Sequence, residues 1–339
     1  MIKTKELAKW WKTEGNKVRC LLCPRYCLIG DGQSGFCFIR KNENSKLYSL
    51  GYSNPVAINV DPVEKKPLFH FLPSTPILSL GTAGCNMGCL FCQNWDISKA
   101  RIDQVNSIYI PPEKLVQLAI DYNCPSIAFT YNEPTIISEY VIDTAKIARK
   151  HGIKIVMVSN GYISKEAFYE VYENVDGANI DLKAITETFY QKITLSHIEP
   201  VKETLKRLKE IGTVWFEITN LIIPTLNDSS EEIKQLVDWV LENLGDNIPL
   251  HFTAFHPDYK LTNIPRTPKE KLVKSREIAI SRGLKYVYTG NIWFEEGSTT
   301  FCPNCKKPLI VRSWHQVMIN KIHDGKCPYC KTRIEGIWN

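Results

Sequence analysis

The stretch GTAGCNMGCLFCQNW, residues 81–95, sets Cys85, Cys89 and Cys92 within eight consecutive positions and supplies no fourth ligand beside them. A structural zinc site closes its tetrahedron with four ligands. The nearest histidines, His70 and His151, lie outside the stretch on either side. An iron–sulfur cube has four irons, each taking one external ligand, so three cysteines on one loop hold three irons and leave the fourth open for chemistry. Gly84 and Gly88 let the backbone wrap closely and bring amides toward the sulfides. The competing reading, three free thiols packed as small hydrophobes, is disfavoured because thiols so close together invite oxidation.

Working outward, short apolar runs alternate with amphipathic stretches. PILSLGTAG (76–84), SIAFTYNEP (126–134), IKIVMVSNG (153–161), GANIDLKA (177–184), VWFEITNLIIP (214–224), LHFTAFHP (250–257) and KYVYTGN (285–291) read as strands. Between them lie helical stretches such as EPVKETLKRLKEIG (199–212) and SSEEIKQLVDWVLENLG (229–245), several opening on Ser, Thr or Pro and closing on Gly. Strands alternating with helices predict parallel βαβ units. The polar residues Cys85, Asn132, Glu133, Ser159, Asn160, Asp181, Lys183 and His256 all fall at run ends. In a parallel sheet or barrel those carboxyl ends share one face, where ligands bind, so the residues are expected to converge.

The C-x3-C-x2-C spacing, with Phe91 directly before the third cysteine, resembles the cluster motif of the radical S-adenosylmethionine (SAM) enzymes. The resemblance covers about residues 77–290 and implies a partial (β/α)6 radical SAM barrel, an α/β fold. It further implies a [4Fe-4S] cluster on Cys85, Cys89 and Cys92 whose open iron chelates SAM, with Phe91 beside the adenine. TYNEP (130–134) resembles the family's GGEP motif and casts Asn132 and Glu133 as contacts of the SAM amino group, although Tyr131 and Asn132 stand where glycines are usual. Asn132 also suits a plain helix cap before Pro134. Ser159 and Asn160 suit ribose hydroxyls, or an ordinary turn. Asp181 and Lys183 alternate with apolar neighbours and so share one side of a strand. An inward pair must bind each other or something polar, unless it sits at the solvent end. Their D-x-K element resembles that of the glycyl-radical-enzyme activases, where it faces SAM and the substrate peptide. His256 is read as a contact of SAM or substrate, with a satisfied core histidine as the alternative.

The twelve cysteines fall mainly in three clusters, and only Cys124 stands apart, as a buried inert thiol. Cys302, Cys305, Cys327 and Cys330 form two CPxC knuckles and predict a structural zinc ribbon, with Lys306 and Lys331 where a glycine commonly adopts a left-handed backbone. Cys20, Cys23, Cys27 and Cys37 offer four more thiolates, suited to zinc or to a second iron–sulfur cluster that could relay electrons; spacing alone does not separate them, and the x2, x3, x9 pattern, unlike the compact ferredoxin run, favours zinc by a small margin. The expected organisation is a Cys-rich metal-binding region over 1–76, the barrel over 77–298 and the ribbon over 299–339.

A chain of 339 residues with 44% hydrophobic and 23% charged residues reads as ordinary globular protein. No run nears the roughly 20 apolar residues of a membrane span. The start MIKTKELAKWWKTEG lacks the apolar core of a secretory signal, which places the protein in the cytoplasm. A net charge of +6 with scattered lysines shows no nucleic-acid footprint. The combination of CLLCPRYC (20–27), DPVEKKPLFHF (61–71), the cluster loop, TYNEP and IDLKA is similar to the radical SAM members of the AmmeMemoRadiSam system, homologues of pyruvate formate-lyase activating enzyme. That resemblance implies a Memo-like protein and an AMMECR-type protein as partners, and an electron donor such as a ferredoxin or flavodoxin. The expected reaction is reductive SAM cleavage to a 5′-deoxyadenosyl radical, acting on a protein substrate. The alternatives are radical modification of a small molecule or nucleotide, and a non-enzymatic interaction module held by metals.

Overall fold

A computed structural model describes residues 4–339. Its centre is a sheet of eight strands: β1 (Ala57–Pro62), β2 (Pro76–Gly81), β3 (Ser126–Phe129), β4 (Lys154–Ser159), β5 (Gly177–Asp181), β6 (Trp215–Ile222), β7 (Leu250–Ala254) and β8 (Val287–Gly290). They lie side by side in chain order. β1 runs antiparallel to β2, and every later pair is parallel. Parallel neighbours need crossovers. These are α1 (Pro112–Asp121), α2 (Ser138–Ala148), α3 (Lys165–Tyr172), α4 (Glu199–Ile211), α5 (Ser230–Leu244) and α6 (Lys269–Ser281). The seven apolar runs and the helical stretches between them thus become the β/α fold expected from their alternation.

Local signals explain the boundaries. In α4, Pro200 stands in the first turn and Gly212 ends the helix in a left-handed conformation, φ +62°. Its buried residues Val201, Thr204, Leu205 and Leu208 follow the 3.6-residue repeat and face the sheet. In α5 the Ser229 hydroxyl accepts from the Glu232 amide, the cap that SSEE announced, an interaction typically worth about 1 kcal/mol. In β4, Ile155, Val156 and Met157 are all buried, as expected of a parallel strand covered on both faces.

Two features differ from the sequence reading. The sheet begins before Ile77, because β1 adds an antiparallel strand from the expected N-terminal region. That region also holds short strands that no sequence period announces. Lys17–Cys20 pairs with Trp11–Glu14 and Leu28–Ile29, and Lys46–Ser49 pairs with Glu6–Leu7 and Arg40–Glu43. Strands of two to four residues are too short to establish a period in sequence. The Arg40 guanidinium fixes this region to α2 by donating to both Glu139 carboxylate oxygens, at 2.7 and 2.6 Å, with both side chains buried.

β1 and β8 end the sheet without pairing to each other, so the barrel stays open. The C-terminal unit reaches across that opening. Its three-stranded sheet joins Thr300–Phe301, Pro308–Ser313 and Gln316–Asn320. From it, buried Arg312 donates to the Phe69 carbonyl at 2.7 Å and to Thr300 Oγ1 at 3.0 Å, and lies 3.7 Å from Glu64. The chain end returns too, with the Ile337 amide donating to the His70 carbonyl at 2.7 Å. Lys306 and Lys331 adopt the left-handed φ values of +59° and +63° at the two knuckles.

Candidate active site

One cavity of about 550 Å³ occupies the carboxyl end of the sheet, within the range of small-molecule sites. Cys85, Cys89 and Cys92 enter it from the loop after β2. Gly84, at φ +85°, is required there twice over, since a Cβ would also meet the Cys37 carbonyl oxygen at 2.1 Å. Gly81 has an equivalent duty, because a Cβ would press on the Thr130 carbonyl at 2.9 Å and close off the approach of the loop after β3. Tyr131, where glycine is usual, takes φ +69° and anchors its hydroxyl on Asp61 at 2.8 Å. Asn132 fastens the two loops by donating to the Gly84 carbonyl at 2.7 Å and accepting from the Thr82 amide at 3.1 Å.

The Asn160 side chain, through Nδ2, reaches Cys85 Sγ at 3.8 Å and donates to Asn86 Oδ1 at 2.8 Å, and the Met87 backbone amide lies 3.4 Å from the same sulfur. Across the cavity, Lys183 Nζ stands 2.8 Å from Asp181 Oδ2 and 5.7 Å from the Phe91 ring centre. Burial works against the Lys183 charge, but the facing Asp181 outweighs it and raises the ammonium above its ordinary range. Burial pushes the Cys85 and Cys89 thiols up, while Lys183 and Lys99 oppose the rise at Cys89. Such thiols stay protonated until a metal takes the place of the proton. Their sulfurs are not drawn together as the C-terminal four are; among the described residues only Cys302, Cys305, Cys327 and Cys330 have ligand atoms all within 4.8 Å. Three thiolates on one loop can each take one iron of a cube and leave the fourth open, whereas a single structural ion asks for a fourth ligand.

Alternation along the strands decides which expected residues reach the cavity. Phe91, Asn132, Asn160, Asp181 and Lys183 line it with the three cysteines. Glu133 does not. It is fully buried and accepts from the Thr135 amide at 2.9 Å, Ser159 Oγ at 2.7 Å and the Asn160 amide at 2.8 Å. Burial raises its carboxyl, and these three donors oppose the rise. Ser159 likewise points away, opposite in parity to Val158 and Asn160. The pair forms a strut between the ends of β3 and β4, outside the lining of the cavity. His256 does not line the cavity either. It lies beyond the end of β7 with its side chain 49% exposed, whereas His251 and Thr253 of β7 face the cavity.

His251 was legible by the same alternation, as were Thr219, Leu221 and Thr289 on β6 and β8. No local signal marks the remainder of the wall. Glu64 and Lys66 follow β1, Trp293 follows β8, and Arg312, Trp314 and His315 come from the C-terminal unit. Glu64 Oε2, Thr289 Oγ1, Arg312 Nε and His315 Nδ1 are buried without a hydrogen-bond partner among the described residues. Beneath them Glu217 accepts from the Phe69 and His70 amides at 3.0 and 2.7 Å and pairs with His251 at 2.6 Å. Burial opposes its charge, but His251 and these donors hold its carboxyl below the usual range.

The family model of the radical SAM superfamily matches residues 79–240. An uncharacterized protein of Methanocaldococcus jannaschii is 46% identical over 326 residues, spanning 96% of this chain and 97% of that protein. The pyruvate formate-lyase-activating enzyme of Clostridium pasteurianum is 26% identical over 208 residues, 56% of this chain and 84% of the enzyme. A radical SAM methyltransferase from Sphaerobacter thermophilus has the same fold, with a TM-score of 0.51 at 15% identity over 67% of this chain and 69% of that one.

Proposed function

Since the chain belongs to the radical SAM superfamily, we propose that this radical SAM enzyme cleaves SAM reductively and takes hydrogen from a residue of a partner polypeptide. The observation that carries the reading is the cavity in which Cys85, Cys89 and Cys92 face Asp181 and Lys183. A [4Fe-4S] cluster on the three cysteines would leave one iron for SAM and supply the electron that breaks its sulfonium C–S bond, giving a 5′-deoxyadenosyl radical.

The chain's own groups then have distinct duties. Asn160 donates toward the Cys85 sulfur and so biases its charge. Phe91 offers an aromatic face beside the cysteines, and Lys183 keeps its proton at Nζ through Asp181, ready to donate to a carboxylate or hydroxyl. Glu133 and Ser159 hold Asn160 at its height. Exposed Trp293 and Trp314, 6.0 Å apart, form an apolar rim suited to a polypeptide. The pyruvate formate-lyase-activating enzyme relative supports a protein substrate. A Memo-like or an AMMECR-type protein is the partner proposed, with a ferredoxin or flavodoxin as donor.

The unpartnered atoms of Glu64, Thr289, Arg312 and His315 favour a second reading, in which the substrate is a small polar molecule. Anaerobic protein loaded with iron and sulfide and reduced with dithionite is expected to convert SAM to 5′-deoxyadenosine. Alanine at Cys85, Cys89 or Cys92 should abolish the product, and turnover that survives these changes would remove the proposal. Deuterium carried from a labelled partner into 5′-deoxyadenosine supports the first reading; transfer from a small molecule alone supports the second.

A further inference from the structure

Cys20, Cys23, Cys27 and Cys37 line one small chamber between the N-terminal strands and Ile136. The C-terminal four show what a single-ion site looks like in this chain. There Cys302 and Cys330 Sγ are 3.5 Å apart and Cys305 and Cys327 Sγ 3.7 Å apart. Those spacings suit four sulfurs at about 2.3 Å from one zinc, which lie about 3.8 Å from one another. The N-terminal four do not share that closeness, although all four face the same chamber. In this they match the cysteines of the active-site loop, not the ribbon.

Position gives the second argument. The Cys37 carbonyl packs against Gly84, the residue before Cys85, so closely that no side chain fits between them. Asn86 belongs to both neighbourhoods. It borders the N-terminal chamber, its carbonyl accepts from Arg25 Nε, and its Oδ1 accepts from the Asn160 amide that reaches Cys85. Cys23 and Cys27 are half-buried, and Leu28 and Phe36 beside them are 42% and 38% exposed, so a donor can approach from outside.

We infer that Cys20, Cys23, Cys27 and Cys37 hold a second [4Fe-4S] cluster, which relays electrons to the cluster on Cys85, Cys89 and Cys92. This takes the iron–sulfur alternative over the small preference for zinc. A reduced low-potential donor of the ferredoxin or flavodoxin class gives up one electron and is oxidised. The N-terminal cluster accepts it, going from the 2+ to the 1+ state, and returns to 2+ as the active-site cluster is reduced. No proton or bond changes hands in the relay, which rests on the radical SAM reading only for the fate of its electron. Zinc has no such redox step.

The test uses the full chain, purified anaerobically, as wild type and with Cys85, Cys89 and Cys92 all changed to Ala. Iron, acid-labile sulfide and zinc are counted, and electron paramagnetic resonance is recorded after dithionite, with and without SAM. The triple variant should keep about four irons and four sulfides, with a reduced-cluster signal that SAM does not move. Zinc in the N-terminal site and no iron in this variant would overturn the second cluster. For the relay, wild type is mixed with reduced flavodoxin and freeze-quenched. The signal insensitive to SAM should appear before the one that SAM shifts, and the reverse order would overturn the relay. A wild type with no SAM-sensitive signal would instead refute the proposed function, leaving the triple variant to judge the N-terminal cluster alone.

Discussion

The two outer cysteine sets contain four thiols each, and they sit in opposite relations to the barrel. The C-terminal four draw their sulfurs together at the tip of a unit whose core is small: Leu309, Ile310, Ile334 and a few aromatic neighbours. The N-terminal four are splayed around a chamber that opens onto the cluster loop, and their region merges with the main core through Ile29, Ile39 and Leu47. The difference teaches that cysteine count alone does not reveal a site's duty. Sulfurs drawn together in a unit with little core suit a staple, whereas sulfurs spread around a chamber that shares Asn86 with the cluster loop suit chemistry.

The largest effect expected from this contrast is loss of the C-terminal staple. Cys305→Ser with Cys330→Ser should cost that unit the metal-linked part of its stability, about 10 kcal/mol on the scale of small metal-folded domains. Hydrogen exchange is then expected to become fast over residues 299–339 while α4 and α5 stay protected. A C-terminal unit that remains protected would break the comparison and would assign its order to Arg312 and the returning chain end.

A smaller effect concerns how each end is tied down. The N-terminal region is held by Arg40, whose charge persists across the accessible pH range. The C-terminal end is held partly by His70, whose ring bonds the Glu335 carbonyl at 2.7 Å and the Tyr288 hydroxyl at 2.6 Å. Burial lowers its folded pKa from 6.5 to about 4. Its contribution is present above the unfolded value and is lost as pH falls, because the unfolded chain takes up the proton first. Stability should fall by about 1.4 kcal/mol per unit between pH 6.5 and 4, to a total of about 3 kcal/mol. Denaturant midpoints for wild type and His70→Gln measure it, and parallel pH profiles for the two proteins would remove His70 from that role.

The smallest effect lies in the knuckles. Lys306 holds φ +59°, a conformation that glycine adopts without strain. Lys306→Gly should therefore change stability by no more than about 1 kcal/mol in the stabilising direction, read as a small rise in the unfolding temperature. A marked loss would mean that the Lys306 side chain, which donates to the Pro303 carbonyl at 2.7 Å, matters more than its backbone.

Most of the sheet was legible because each parallel strand and its helix carry their own periodic signal. β1 was not, since its register against β2 depends on a pairing that no repeat announces. In the site, Asp181 and Lys183 could be placed together because residues two apart on a strand share a face. The same rule separates Asn160 from Ser159 and places His251, not His256, in the cavity wall. Glu133 is hard to place from sequence for another reason. A carboxylate at a strand end suits a ligand and a buried strut equally well, and only the three donors around it distinguish the two.

The sequence by itself determined the open-cluster motif, the succession of strands and helices and the residues that share a strand face, because these depend on neighbours a few positions apart. The tertiary structure alone decided that Arg312 meets Phe69, 243 positions away, and that Cys37 lies against Gly84. Those contacts exist because the sheet curls without closing and the two ends of the chain pack on what remains open. Contacts of that kind depend on the summed geometry of every strand between them, which no local pattern encodes.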